Sequence, residues 1–260
     1  MGTPSTFVEL RQRGAVGWVH ADLAAFGLEA FWAELDPLPG AKGRGGVGCL
    51  ELGGRQLVVR PFRRGGALAR LLQDRYPGPS RARRELELLE ALRQEGVPVV
   101  VPIAAVARRG RAFWRLRLCT EREADAVPLV EFLRDHPARR RQAAAAFGTV
   151  VRLAFAAGLR HPDLHVDNVL CSMRGDKVRV VLVDLDRARL QKPLPERCRD
   201  DMLRRLQRHL VRHRGDLLAV PTRAETMRFL RAVGFEPAAR HALWRRLQAL
   251  LARLQPSLRG

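Results

Sequence analysis

His161-Pro162-Asp163-Leu164-His165-Val166-Asp167-Asn168, then Val183-Asp184-Leu185-Asp186, is the stretch of this 260-residue chain that decides its fold. The segment between the two reads as a hairpin. Residues 169–172 form a short apolar strand, Arg174-Gly175-Asp176 a turn, and residues 178–183 a β-branched strand ending on Asp184. A tight hairpin brings its two ends together, so Asn168 and Asp184 meet at one mouth. A carboxylate plus an amide oxygen suits hard Mg²⁺, which completes its octahedron with water and phosphate oxygens. Asp163, outside that pair, is placed to orient an attacking hydroxyl and take its proton.

Outward from the loop, the two halves of the chain differ. Upstream, residues 47–52 and 55–60 read as paired strands around a Gly53-Gly54 turn. Residues 81–94 form an amphipathic helix, with Leu86, Leu89 and Leu92 at three-residue spacing and Gly96 and Pro98 after it. Residues 97–107 and 112–119 read as strands, and residues 120–125 as a polar linker. Downstream, helices are expected over residues 127–134, 138–158, 197–214, 223–233 and 237–254. The fold class is therefore α+β. A strand-rich N-lobe (residues 1–120) precedes a mainly helical C-lobe (residues 121–260), with the active site expected in a cleft between them.

The loop and hairpin resemble the catalytic loop and metal-binding strand of the protein-kinase-like fold, H-x-D-x-x-x-x-N followed by D-x-x. That resemblance implies ATP and Mg²⁺ as cofactors, Asp163 as base, and Asn168 and Asp184 as metal ligands. It also implies partners upstream. Gly43, Gly45 and Gly46 would cover the phosphates, because glycine lets backbone amides approach them. Arg60, in Val58-Val59-Arg60, stands where the usual strand lysine would be. Glu85 on the following helix is the expected ion-pair partner, with Glu87 and Glu90 as rivals. Glu121, in Thr120-Glu121-Arg122, falls where an interlobe hinge would meet adenine through backbone groups.

Several segments are similar to a narrower family, the bacterial lipopolysaccharide kinases that phosphorylate Kdo, the acidic sugar attached to lipid A. They are Gly43-Arg-Gly-Gly46, Val59-Arg-Pro-Phe-Arg-Arg-Gly-Gly66, Leu68-Ala-Arg-Leu-Leu-Gln-Asp-Arg-Tyr76, Arg84-Glu85-x-x-Leu88-Leu89, Gly96-Val-Pro-Val-x-x-Pro102, Thr120-Glu121-Arg122 and Val183-Asp184-Leu-Asp-Arg-Ala-Arg-Leu190. The resemblance spans roughly residues 40–215. In that family arginine also occupies the strand-lysine position. The implied activity is ATP-dependent phosphorylation of a Kdo hydroxyl in Kdo–lipid A, at the cytoplasmic face of the bacterial inner membrane. The chain departs from signalling kinases at Pro162, where they carry arginine, and at Asp186, where they carry the glycine of D-F-G. It has no A-P-E segment. His165 departs from the family's usual asparagine. The same loop also looks like that of aminoglycoside phosphotransferases, so another small-molecule or heptose kinase is the nearest alternative.

Composition sets the outer bounds. The chain carries 47 Lys+Arg against 27 Asp+Glu, a net charge of +20, and only Lys42, Lys177 and Lys192 are lysines. Such a charge points to a polyanion. An anionic membrane surface is the expected partner, and no nucleic acid, because no interleaved aromatic platform accompanies the arginines. Arg63 and Arg64 are candidates for facing substrate anions or the membrane. A non-catalytic RNA- or membrane-binding scaffold on the same fold is the reading from a different class. No apolar run approaches the ~18 residues of a membrane span, and residues 1–9 lack a secretory pattern. Cys49, Cys119, Cys171 and Cys198 form no C-x-x-C pair, so neither a zinc knuckle nor a disulfide framework is expected. His161 is expected to pack beneath the loop and bond its backbone. His209 and His213 lack an intervening H-E-x-x-H glutamate, which argues against zinc. Trp18, Phe26, Phe31 and Trp32 are expected in packing.

Overall fold

The computed structural model describes residues 6–38, 46–63, 74–212 and 221–254. The chain divides into two compact units. One comprises residues 1–91 and 100–123, the other residues 92–99 and 124–260. The division thus falls three residues beyond the sequence boundary at 120. Residues 92–99 join the second unit because Val99 bridges Leu182 and the Leu182 amide donates to the Pro98 carbonyl at 3.0 Å.

The first unit is built on a seven-stranded antiparallel sheet. Its strands are β1 (Phe7–Gln12), β2 (Ala15–His20), β3 (Asp36–Pro37), β4 (Gly48–Leu52), β5 (Arg55–Pro61), β6 (Pro102–Arg109) and β7 (Trp114–Glu121), in the order β1-β2-β6-β7-β5-β4-β3. The Gly53-Gly54 turn takes positive φ at both residues, which glycine adopts without a Cβ clash. The core gathers Val19, Leu28, Phe31, Leu57, Val59, Ile103, Val106 and Cys119. Trp32 packs against it, while Phe26 stays 48% exposed, against the expectation of packing for that ring. Helix α1 (Ser80–Gln94) buries Ala82, Leu86, Leu89 and Leu92, the stripe its three- and four-residue spacing dictates.

The strand expected over 97–107 begins only at Pro102, and β7 runs through Glu121 into the segment expected to be linker. The Glu121 amide is held by the Val101 carbonyl at 2.8 Å, which extends the ladder.

The second unit holds β8 (Val127–Pro128), α2 (Leu129–Asp135), α3 (Arg140–Ala156), β9 (Leu159–Arg160), β10 (Val169–Arg174), β11 (Lys177–Leu182), β12 (Arg189–Leu190), α4 (Glu196–Arg212), α5 (Arg223–Val233) and α6 (Pro237–Leu254). β10 and β11 form the expected hairpin, in register from Val169↔Leu182 to Arg174↔Lys177. α3 packs on β11 and α5. Gly148 makes the α3–α5 approach close: a Cβ there would strike the Phe229 backbone and the Ala232 side chain. Thr222 caps α5 reciprocally with Glu225, and Glu225 pairs with Arg140 at 2.8 Å, tying α3 to the start of α5.

Candidate active site

In the first unit, strand β5 and helix α1 bring Arg60 and Glu85 together. Arg60 Nη2 lies 2.6 Å from Glu85 Oε1, and Glu85 is only 4% exposed. A charge that deep persists only when paired. The Phe62 ring, 4.9 Å from the Arg60 guanidinium, supports it from another side. Of the rivals for Arg60, Glu87 is engaged by Arg83 one helical turn away, while Glu90 is buried. Gly46 takes φ +103, and a Cβ would come 3.0 Å from Pro61 Cγ and 3.4 Å from Arg63 Nη2. Backbone strain and space both demand glycine at that position. Gly43, Gly45 and Arg64 lie outside the described residues. The amides of Glu121 and Arg122 are both committed, to the Val101 and Gln56 carbonyls.

In the second unit, the loop between β9 and β10 carries Asp163 and Asn168. The Asn168 side-chain amide donates to the Asp163 carbonyl at 3.1 Å, clamping the loop across five residues. The Val183 amide donates to the Asn168 carbonyl at 3.0 Å, so the chain entering Asp184 is tied to Asn168 at the mouth of the β10–β11 hairpin. Asp184 sits at φ +55, outside the regular strand, and is exposed. The Asp163 side chain is 75% exposed, open to a substrate.

His161 organises this loop from below. It is 1% exposed. Its Nδ1 accepts the Asp163 amide at 3.1 Å, and its Nε2 lies 3.2 Å from the Asp184 carbonyl. Only the neutral ring, protonated on Nε2, satisfies both contacts. Burial lowers its pKa below the usual value, outweighing the Asp184 carbonyl bond and the nearby Asp184 and Asp163 charges, which favour the cation. One buried imidazole therefore positions the backbone of both candidate acidic residues.

Sequence spacing gave no sign of a second histidine at the loop. His209 on α4 stacks on His165, with ring centroids 4.6 Å apart and planes 9° from parallel. His209 Nε2 lies 3.2 Å from Asp167, and His165 lies 3.7 Å from Asp167 and 3.8 Å from Asp163. The three residues present ligand atoms within 4.8 Å of one another. Parallel rings aim their in-plane lone pairs along separate planes, so the stack does not converge on one ion. It braces the loop against α4 instead. The partners lie 44 positions apart in the chain, and no local pattern could have linked them.

Asn168 and Asp184 fit a magnesium ion by donor chemistry. With its nitrogen fixed on the Asp163 carbonyl, the Asn168 side chain has its oxygen left as a ligand atom, and Asp184 supplies a carboxylate.

A clamped H-x-D loop, a hairpin followed two residues on by Asp184, and a strand cation paired with a helix carboxylate are the parts from which a kinase site is built. The chain belongs to the lipopolysaccharide kinase (Kdo/WaaP) family, whose model matches residues 29–233. The match reaches further at both ends than the motifs in the sequence. The chain is similar to the 3-deoxy-D-manno-octulosonic acid kinase of Vibrio vulnificus (strain YJ016), 32% identical over 59% of this chain and 66% of the relative. It is 33% identical to the enzyme of the same name from Xanthomonas oryzae pv. oryzae (strain PXO99A), over 76% of this chain and 78% of the relative. The chain thus spans just under two thirds of the Vibrio enzyme's length. A solved structure described as WaaP in complex with acyl carrier protein shares the fold, with a TM-score of 0.58, 23% identity, and coverage of 85% of this chain and 91% of that one.

Proposed function

We propose that the protein is a Kdo kinase, using ATP to phosphorylate a hydroxyl of Kdo in Kdo–lipid A. The observation that carries the reading is the loop in which Asn168 grips Asp163 while His161 bonds the backbones of Asp163 and Asp184. Asp163 accepts the proton of the Kdo hydroxyl as its oxygen bonds to the γ-phosphorus. The bond from that phosphorus to the β,γ-bridging oxygen breaks, and ADP leaves. Arg60, held by Glu85, steadies the nucleotide phosphates, and Gly46 belongs to the hairpin that covers them. Glu121 belongs to the segment that meets the adenine. Its committed amide leaves that contact to carbonyl groups. Asn168 and Asp184 would hold Mg²⁺, which neutralises phosphate charge when bound.

The acceptor is lipid-linked and anionic, which suits a +20 chain working at the cytoplasmic face of the inner membrane. No helix among the described residues is long and apolar enough to cross a membrane. The test is incubation with radiolabelled ATP and Mg²⁺ against Kdo–lipid A, an aminoglycoside and a protein acceptor. Label should enter Kdo–lipid A alone. Asp163→Asn should lower turnover by about 10²-fold or more; near-normal turnover in that variant would remove Asp163 from the role of base.

A further inference from the structure

Two hairpin tips meet at one end of the first unit's sheet. β2 pairs with β6 through Ala15↔Arg108, and the Arg109 amide donates to the Gly14 carbonyl at 2.8 Å. The β6–β7 turn closes where the Gly110 amide meets the Phe113 carbonyl at 2.7 Å. Residues 11–14 and 109–113 are all exposed. No Asp or Glu occurs in residues 10–21 or 96–120, a stretch of the sheet that carries seven arginines. Arg11, Arg108 and Arg115 are paired to Glu9, Glu29 and Asp74 from outside it. Among the described residues, Arg13, Arg109 and Arg111 enter no ion pair.

The tips are shaped as well as charged. Arg11, Arg13, Trp18, Pro79, Arg109 and Trp114 line a groove between them. Arg13 and Gly14 take φ +25 and +74, the two left-handed places of a two-residue hairpin turn. Asparagine or aspartate usually fills the first of these places; here a strained arginine presents its cation at the tip. Phe113, at the neighbouring tip, is 39% exposed.

We propose that this end of the sheet docks on an anionic phospholipid bilayer. Arg13, Arg109 and Arg111 meet headgroup phosphates, which guanidinium groups bind bidentately, and Phe113 enters the interfacial layer. Phe113 alone protrudes, while Trp18 and Trp114 are half-buried in the groove wall, so the tips lack the run of exposed rings on which single-stranded nucleic acid stacks. The inference deepens the proposed function, resting on its lipid-linked acceptor for the reason to dock.

The test is sedimentation of the full chain with phosphatidylglycerol/phosphatidylethanolamine vesicles, with pure phosphatidylcholine vesicles as control. The protein should bind the first and not the second, and lose binding as salt rises. R13A/R109A/R111A should weaken binding about 10²-fold, each arginine supplying roughly fivefold. F113S, which leaves the charge intact, should weaken it several-fold. Both variants should phosphorylate a deacylated, water-soluble Kdo acceptor at the unaltered rate. Undiminished vesicle binding by the triple variant overturns the proposal. So does tighter binding of an RNA oligonucleotide than of vesicles that the same three arginines carry. Vesicle binding that needs the arginines, in a protein that phosphorylates no Kdo acceptor, supports the surface and rejects the kinase reading alone.

Discussion

In the proposed function, nucleotide use turns on Arg60, the strand cation that Glu85 holds 2.6 Å away. Arg60→Ala should lower kcat/KM for ATP by about 10²–10³-fold, the size expected when a phosphate-facing donor is lost. Arg60→Lys should recover part of that, since a lysine keeps the charge and loses the bidentate fork. Unchanged ATP kinetics in Arg60→Ala would place another cation at the phosphates. His161 gives a second, pH-dependent expectation. Its folded pKa lies below the ordinary 6.5, so below that pH the unfolded chain binds the extra proton first. Its contribution is therefore complete above about pH 6.5 and declines as the pH falls toward the folded value. Thermal melts should show stability rising with pH across this window. His161→Gln should flatten that slope, and an unaltered slope would mean that another group sets it.

At the scale of elements, the α3–α5 contact depends on a missing side chain. Glycine in mid-helix costs about 1 kcal/mol relative to alanine. In isolation Gly148→Ala would therefore stabilise α3, yet the added Cβ would meet the Phe229 backbone of α5. Backbone cannot rotate aside, so the variant should be less stable by about 1–3 kcal/mol in urea melts. A gain in stability would show that the two helices separate without loss.

How much of each element was legible in the sequence follows from the range of its determinants. Helix α1 and the β10–β11 hairpin were readable because their signals are local: leucine spacing in one, a Gly-Asp turn between β-branched runs in the other. The juxtaposition of Arg60 and Glu85 followed from order along the chain once the fold was suspected. β1 was not readable, because its burial repeats as one half-buried residue followed by two exposed ones instead of alternating. β6 was placed too early because Val97 to Val101 look like strand. In fact Val97, Val99 and Val100 are buried outside the β6 ladder, and Val99 bridges Leu182. The His165–His209 stack depends on where α4 docks, which no local pattern encodes.

At the scale of the whole molecule, the four thiols report separately on the two units. Cys119 lies in the core of the first, and Cys171 and Cys198 are buried in the second. Burial pushes the Cys119 and Cys171 thiols up to about 12. At pH 8 that leaves about one molecule in 10⁴ as the reactive thiolate, before access is counted. Cys49, on β4, is half-buried. An alkylating reagent followed by peptide mass spectrometry should therefore modify Cys49 first in native buffer, with Cys119 and Cys171 slower by at least about 10²-fold. Those two can react only when their own unit opens, so their rates in rising urea measure the stability of each unit independently. Equal urea dependence would mean that the units unfold as one, and separate midpoints that each holds its own core. Native labelling of Cys119 or Cys171 as fast as Cys49 would contradict the packing of the corresponding core.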